Sequence, residues 1–316
     1  MITERTLGTS GLRTPPLILG GNVFGWTVDR AASFPILDAF IAGGGRMIDT
    51  ADVYSSWVPG NQGGESETII GAWLAARGRR DDVLIATKVG MEVGGSKGLA
   101  PSRIATCVEA SLKRLRTDYI DLYFAHRDDS DTPLESTLDA FDSLVRAGKV
   151  RAIGASNHDA TRLEQALNTS KARGQTRYSV LQPYFNLVER AKFEGPLQNL
   201  CVAHDVAVVS YYSLASGFLT GKYRSKGDLA GKARAGAAEK YLNKFGLGVF
   251  AALDKVAAET KATPAQVALA WLAAQPTVAA PIASATSVAQ VEELLGAMRL
   301  RFSADQLAIL NTASQP

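Results

Sequence analysis

Eight short apolar runs recur along this chain, and a segment with helical spacing of apolar residues separates most of them; few architectures can absorb that rhythm. The runs are Leu17–Leu19, Met47–Asp49, Val83–Lys88, Ile120–Ala125, Val150–Ser156, Ser179–Pro183, Ala207–Tyr211 and Val278–Ile282. They are apolar nearly throughout rather than alternating, which predicts strands covered on both faces, as in a parallel sheet. Most begin about 28 to 37 residues after the one before, the span of a strand–helix unit, and the last gap is about twice that. The intervening helices carry their own start signals: Pro101 and Ser102 in "PSRIATCVEASLKRL", Thr132 and Pro133 before "LESTLDAFDSLVRAG", and Thr263–Pro264 before "AQVALAWLAA".

Eight such units in 316 residues, 46% of them hydrophobic, predict an α/β fold, a (β/α)8 TIM barrel. The competitor is a doubly wound open sheet. Against it, no G-x-G-x-x-G follows the first run, since "GGNVFG" has the wrong spacing. "GFLTGK" and "GDLAGK" each fall one residue short of a phosphate loop. The opening "ERTLGTSGLRTPPLILGG" reads as an N-terminal hairpin before the first strand, and "ASGFLTGKYRSKGDLAGKARAGAAEK" reads as a long loop after strand 7. Without a repeat or a linker, residues 1–316 are read as one domain.

Charge narrows the partners. The 34 basic and 31 acidic residues are dispersed with no basic block, so neither nucleic acid nor a membrane surface is indicated. The polar "MITERTLGTS" does not read as a signal peptide, and the most apolar stretch is about half a bilayer span; a cytoplasmic protein is expected. Cys107 and Cys201 read as free thiols, and no metal site is indicated.

Four polar groups stand where these runs stop. "MIDTADVYS" places Asp49 and Tyr54 at the end of the second, "LIATKVG" places Lys88 at the end of the third, and "DLYFAHRDD" places His126 at the end of the fourth. In a barrel these would converge above the core on the C-terminal face. Taken alone, Lys88 reads as a structural ion-pair partner, His126 equally as a loop residue or a site residue, and Asp49 as a turn cap. Together they suit proton transfer to or from a carbonyl or alcohol oxygen. A neighbouring ammonium is expected to lower the phenol's pKa from its ordinary value near 10, and a paired carboxylate keeps the ammonium charged. The set holds no hydride source, so a nicotinamide cofactor is implied.

At this point the residues resemble the aldo-keto reductase superfamily. "MIDTADVYS", "IATKVG", "LYFAHRDD", "IGASNH", "VLQPYFNLVER", "SYYSLASGFLTGKY" and "SATSVAQVEELL" follow the family's order over nearly the whole chain, and the "LTGKY" loop is similar to that of some bacterial members. The resemblance implies a catalytic tetrad of Asp49, Tyr54, Lys88 and His126. In it Tyr54 is the proton donor, Lys88 held by Asp49 adjusts it, and His126 orients the carbonyl. It also implies that Ser156, Asn157 and Gln182 hold the nicotinamide carboxamide and that Tyr211 stacks on the ring. Leu214, Ser216, Lys222 and Arg234 would meet the pyrophosphate; Ser284, Thr286, Gln290 and Glu293 would meet the adenosine end; Asn22 and Val23 would approach from the other side.

The chain departs from the family pattern in places. Tyr212-Ser213-Leu214 stands where "SPL" is usual, Ser284 where many relatives have glycine, and Thr286 and Ser287 where a basic residue often binds the 2′-phosphate. Hydroxyls at a helix start can also bind phosphate, so NADP (NADPH) is expected first, with NAD as the alternative. Phe24, Trp26 and Trp57, with Arg127 beside His126, are read as the substrate rim. The expected function is an NADP(H)-dependent oxidoreductase interconverting a small aldehyde or ketone and its alcohol. One rival is a cofactor-binding regulatory subunit of the same fold with little turnover; another makes Lys88 a Schiff-base nucleophile. A homo-oligomer stays open.

Overall fold

A computed structural model describes residues 2–231 and 235–315. At the start, β1 (Arg5–Thr6) and β2 (Arg13–Thr14) pair antiparallel, Arg5 opposite Thr14, which is the expected hairpin. Among the described residues, eight further strands make one parallel sheet: β3 (Ile18–Gly20), β4 (Met47–Asp49), β5 (Leu84–Val89), β6 (Ile120–Ala125), β7 (Val150–Ser156), β8 (Tyr178–Gln182), β9 (Ala207–Val208) and β10 (Ile282–Ala283). Each pairs with the next in sequence from β3 to β9, and β10 returns to pair with β3, Ile282 opposite Ile18. Backbone hydrogen bonds close the ring between β9 and the approach to β10. The Val208 N–H donates to Thr277 O at 2.9 Å, Ala279 N–H to Val208 O at 2.8 Å, and Ile282 N–H to Ser210 O at 2.9 Å. The architecture is a (β/α)8 barrel.

The last two strands are shorter than Ala207–Tyr211 and Val278–Ile282 suggested. After Val208 the chain keeps single bonds to its neighbours, Tyr211 N–H to Pro183 O at 3.0 Å among them, but peels off into the loop that follows. Val278 touches Val208 only through an isolated bridge, so the regular ladder starts at Ile282.

The helices are α1 (Arg30–Ala42), α2 (Glu65–Arg77), α3 (Pro101–Leu115), α4 (Leu134–Arg146), α5 (Ala160–Arg173), α6 (Pro196–Ala203), α7 (Ala235–Glu239), α8 (Lys244–Thr260), α9 (Pro264–Ala273), α10 (Val288–Gly296) and α11 (Ala304–Ala313). Their starts follow from their sequences. Asp29 and Asp159 cap α1 and α5, and Thr263 and Gln266 form a reciprocal capping box on α9. At α4 the Thr132 hydroxyl donates instead to Asp129 at 2.7 Å, leaving that helix without a side-chain cap. The long segment after β9 is not featureless: two 3-10 turns, Ala215–Thr220 and Lys226–Leu229, and α7 occupy it before α8.

Two apolar cores result. One lies between strands and helices; the other fills the barrel with inward residues such as Ile18, Met47, Leu84, Leu122 and Phe124. Leu7 and Leu12 from the hairpin turn join the inner core, both essentially buried, and stopper the N-terminal end. Polar groups are therefore left to the opposite end.

Candidate active site

The strand termini at that opposite end supply the site. Asp49 is the last residue of β4, Lys88 the penultimate of β5, Ser156 and Gln182 the last of β7 and β8, and His126 directly follows β6. Sequence placed Tyr54 on the turn after Asp49, and that turn folds back over the barrel. The Lys88 ammonium, fully buried, donates to Asp49 Oδ2 at 2.7 Å, to the Thr50 carbonyl at 2.7 Å and to Tyr54 Oη at 2.9 Å. Tyr54 Oη lies 3.4 Å from the same Asp49 oxygen, so acid, amine and phenol form one triangle. The other Asp49 oxygen accepts from Gln182 Nε2 at 2.9 Å. The His126 ring stands edge-on to Tyr54, centroids 6.2 Å apart, its Nδ1 buried and without a hydrogen-bond partner among the described residues.

Burial decides the protonation states. It pushes the Tyr54 phenol well above its ordinary range, with the Asp49 carboxylate acting the same way. The expected downward pull from Lys88 does not prevail, because the ammonium is shared with Asp49 and Thr50 while burial disfavours the phenolate. Burial also lowers Lys88, which Asp49 counteracts. His126 is lowered well below the usual imidazole value by burial, then by Lys88 and Arg127, so it is neutral at neutral pH. The arrangement offers a protonated phenol and a neutral imidazole side by side.

A second group of polar side chains adjoins the triangle. Ser156 Oγ donates to the Gln182 carbonyl at 2.9 Å; Asn157 Nδ2 donates to the His126 carbonyl at 2.9 Å, and Tyr211 Oη donates to Asn157 Oδ1 at 2.6 Å. Burial raises the Tyr211 phenol to about 12, so it remains a donor. Across the barrel mouth the Ser284 hydroxyl donates to Asn22 Oδ1, tying the loops after β10 and β3. Gln290 Oε1 accepts from the Thr286 N–H at 2.8 Å and hydroxyl at 3.1 Å, while Ser287 caps α10. Glu293 is engaged through its carbonyl, which accepts from Gln266 at 2.8 Å.

Backbone strain concentrates on this face. Ser55, Asn157, Tyr212, Ala215 and Ser216 all have positive φ, which non-glycine residues seldom adopt. Leu214 opens the turn that contains the last two, and Ser216 is buried there. Gly217 follows with φ 91°, and a Cβ at that position would meet Lys222 Cε at 2.8 Å and Nζ at 3.0 Å. Glycine thus lets Lys222 lie across the loop. Gly217→Ala is expected to destabilise the protein by about 1–2 kcal/mol through the left-handed backbone alone. Denaturant unfolding checks it, and an alanine variant as stable as the parent would show the loop to be unconstrained.

Two of the expected site residues turn their side chains into the core. Phe24 is not a rim aromatic: its ring is fully buried in the outer core, and its carbonyl accepts from Ser55 Oγ at 2.8 Å. An aromatic ring beside the last apolar run gains more from the core than from water. The Val23 side chain is buried likewise, and its carbonyl accepts from the Trp26, Thr27 and Val28 N–H groups. Trp57, 48% exposed, lies edge-on to Trp26 at 5.7 Å and to Tyr54 at 6.2 Å, with Arg127 exposed beside His126. Arg234 lies outside the described residues. Three groups were missed: the Thr50 carbonyl under Lys88, and the buried carboxylates Asp52 and Glu67 behind it. The one signal in the sequence was a second acid in "DTADVY".

Comparison with known proteins gives the family. The sequence profile described as Aldo/keto reductase family matches residues 16–315. Uncharacterized oxidoreductase YrpG of Bacillus subtilis (strain 168) is 35% identical over 316 residues, 96% of this chain and 94% of its own. A probable voltage-gated potassium channel subunit beta of Arabidopsis thaliana is 33% identical over 305 residues, 93% of this chain and 90% of its own. The NADP(+)-designated aldo-keto reductase yakc of Schizosaccharomyces pombe is 33% identical over 266 residues, 81% of this chain and 74% of its own. With a profile that runs from before β3 to beyond α11 and relatives that span most of its length, the chain belongs to the aldo/keto reductase family.

Proposed function

We infer that this protein is an NADP(H)-dependent oxidoreductase that interconverts a small aldehyde or ketone and the corresponding alcohol, with Tyr54 as proton donor and acceptor. The observation that carries the reading is the triangle of Lys88, Tyr54 and Asp49 with a neutral imidazole beside it. In reduction the Tyr54 phenol gives its proton to the substrate oxygen, and Lys88, 2.9 Å away, stabilises the phenolate that results. Asp49 holds the ammonium in place and charged despite burial. His126 remains neutral, so a ring nitrogen can hydrogen-bond the same substrate oxygen without adding a competing positive charge. In alcohol oxidation the same groups work in reverse.

The donor set fits a nicotinamide dinucleotide. Amide and hydroxyl groups of Ser156, Asn157 and Gln182 suit a carboxamide, and Tyr211 offers an aromatic face beside them. Lys222 and Ser216, on the loop that Gly217 permits, suit a pyrophosphate; Ser284, Thr286 and Gln290 suit the adenosine end. When bound, the reduced cofactor supplies the hydride. NADP is preferred because hydroxyls at the capped start of α10 suit an added phosphate; the NADP(+) designation of the fission-yeast relative points the same way. Trp26, Trp57 and Arg127 frame an aromatic mouth for varied small carbonyls.

Two free cysteines accord with a reducing, cytoplasmic setting, and among the described residues no helix is long and apolar enough to cross a membrane. The plant relative named as a channel subunit supports a second reading, a cofactor-binding subunit with little turnover. Titrating NADPH against NADH by fluorescence, then assaying a panel of aldehydes, ketones and alcohols, separates the two. Tighter NADPH binding with multiple turnovers is expected; tight binding with no turnover on any member would favour the subunit.

A further inference from the structure

Behind Lys88 lies a buried carboxyl group that this mechanism does not use. Asp52 is 3% exposed, and neither of its carboxylate oxygens has a hydrogen-bond partner among the described residues. Its backbone N–H reaches the Lys88 carbonyl at 3.3 Å, which fixes it to the strand that carries the ammonium. The titratable and charged groups that act on it or that it acts on are Glu67 from α2, Lys88 from β5, Arg103, Cys107 and Arg114 from α3, and Tyr123 from β6.

The two arginines are committed elsewhere. Arg103 donates to the carbonyls of Gly98 at 3.2 Å and Met91 at 2.8 Å. Arg114 donates to Glu67 at 2.7 Å, and the other Glu67 oxygen accepts from the Thr87 hydroxyl at 2.6 Å. Glu67 is satisfied; Asp52 is not. Two glycines seal the cluster. A Cβ on Gly63 would meet the Asp52 carbonyl at 2.9 Å, and one on Gly64 would meet Arg114 Nε at 2.4 Å, so only a bare backbone can close here.

An unpaired carboxylate in such surroundings is costly, whereas the neutral acid is not. We propose that Asp52 is a positioning residue for the proton transfer: a buried carboxyl group that exchanges its own proton with solvent and thereby sets the charge against which Lys88 and Tyr54 work. Burial first, then Glu67, pushes Asp52 up to about 7, with Arg103 and Arg114 pulling the other way. Below that pH the neutral acid adds no field. Above it the proton leaves to solvent, a negative charge appears, and the Lys88 ammonium is held more firmly.

The proposal rests on the reductase reading only for its kinetic arm. The free full-length protein tests the rest, by infrared difference spectroscopy in D2O of the parent against Asp52→Asn. Expected is a carboxylic-acid carbonyl band at pH 6 that fades through a midpoint near 7 in the parent and is absent from the variant. A parent with no such band at pH 6 overturns the proposal. In the kinetic arm, the inflection of turnover near pH 7 is expected to vanish in Asp52→Asn. The alkaline limb should also move down by about one pH unit, because Lys88 loses a favourable neighbour. An unchanged profile overturns the positioning role; a lower rate with an unchanged profile marks a merely structural residue and overturns it equally. Asp52→Leu, a nearly isosteric apolar variant, gives the same two losses should the asparagine variant not fold. If no carbonyl substrate turns over but the band is present, the reductase reading fails while the buried acid stands.

Discussion

Tyr54→Phe is expected to reduce turnover by about two to four orders of magnitude, the usual range for loss of a positioned general acid, while NADPH still binds. The substitution removes a single hydroxyl. Lys88 keeps its bonds to Asp49 and the Thr50 carbonyl, and the ring keeps its edge contacts with His126 and Trp57, so the site stays assembled. What disappears is the proton. Because burial and Asp49 hold the phenol well above its ordinary pKa, the parent has that proton throughout the neutral range. On the proposed reading the side chain acts as an acid in reduction without prior titration, and activity at pH 6 to 8 should not follow a tyrosine ionisation. Steady-state kinetics in the reducing direction, with NADPH binding followed by fluorescence, gives the answer. Near-normal turnover would remove Tyr54 from the reaction.

Lys88→Met has the largest expected effect on stability, about 3–5 kcal/mol, the range for breaking a buried ion pair by deleting one partner. Asp49 is 2% exposed, and without the ammonium its carboxylate retains Gln182 and the Tyr54 hydroxyl as donors. The Thr50 carbonyl loses its partner too. Adding Asp49→Asn should return part of the loss, since the uncompensated charge goes with it. Denaturant unfolding of the parent, the two single variants and the double variant forms a cycle. A single variant within about 1 kcal/mol of the parent would mean that Asp49 is not the buried anion its surroundings make it.

How much of this could be read from residues alone varies with the kind of physics involved. Apolar runs bounded by turns placed the central strands well; β6 and β7 run over the residues expected, because both faces of those strands are covered. The last two strands were overdrawn. Val209 and Tyr211 continue the apolar run into the barrel mouth and the loop that follows, and spacing cannot separate that from a ladder. Tyr54 and Lys88 were legible as partners, since strand ends in a barrel converge. The net direction of the Tyr54 shift was not, because desolvation belongs to the assembled site and leaves no trace in spacing. Phe24 failed for a related reason: only the fold says which aromatic of "NVFGW" turns inward. Asp52 went unnoticed because an acid two residues before a tyrosine on a turn looks solvated until α2 and α3 close over it.

Closing the ring between β9 and β10 governs how the molecule forms. Ile18 and Ile282 face each other across the seam, so almost the entire chain must be in place before the ladder can complete. Bringing such distant segments together costs loop-closure entropy that only a handful of backbone bonds on β9 and β10 directly offset. The long adjacent strands β5, β6 and β7, near neighbours in sequence, are therefore expected to assemble early and the seam to zip last. Until it does, β3 and β9 are open edges, and a nascent chain is most prone to pairing with another molecule during that interval.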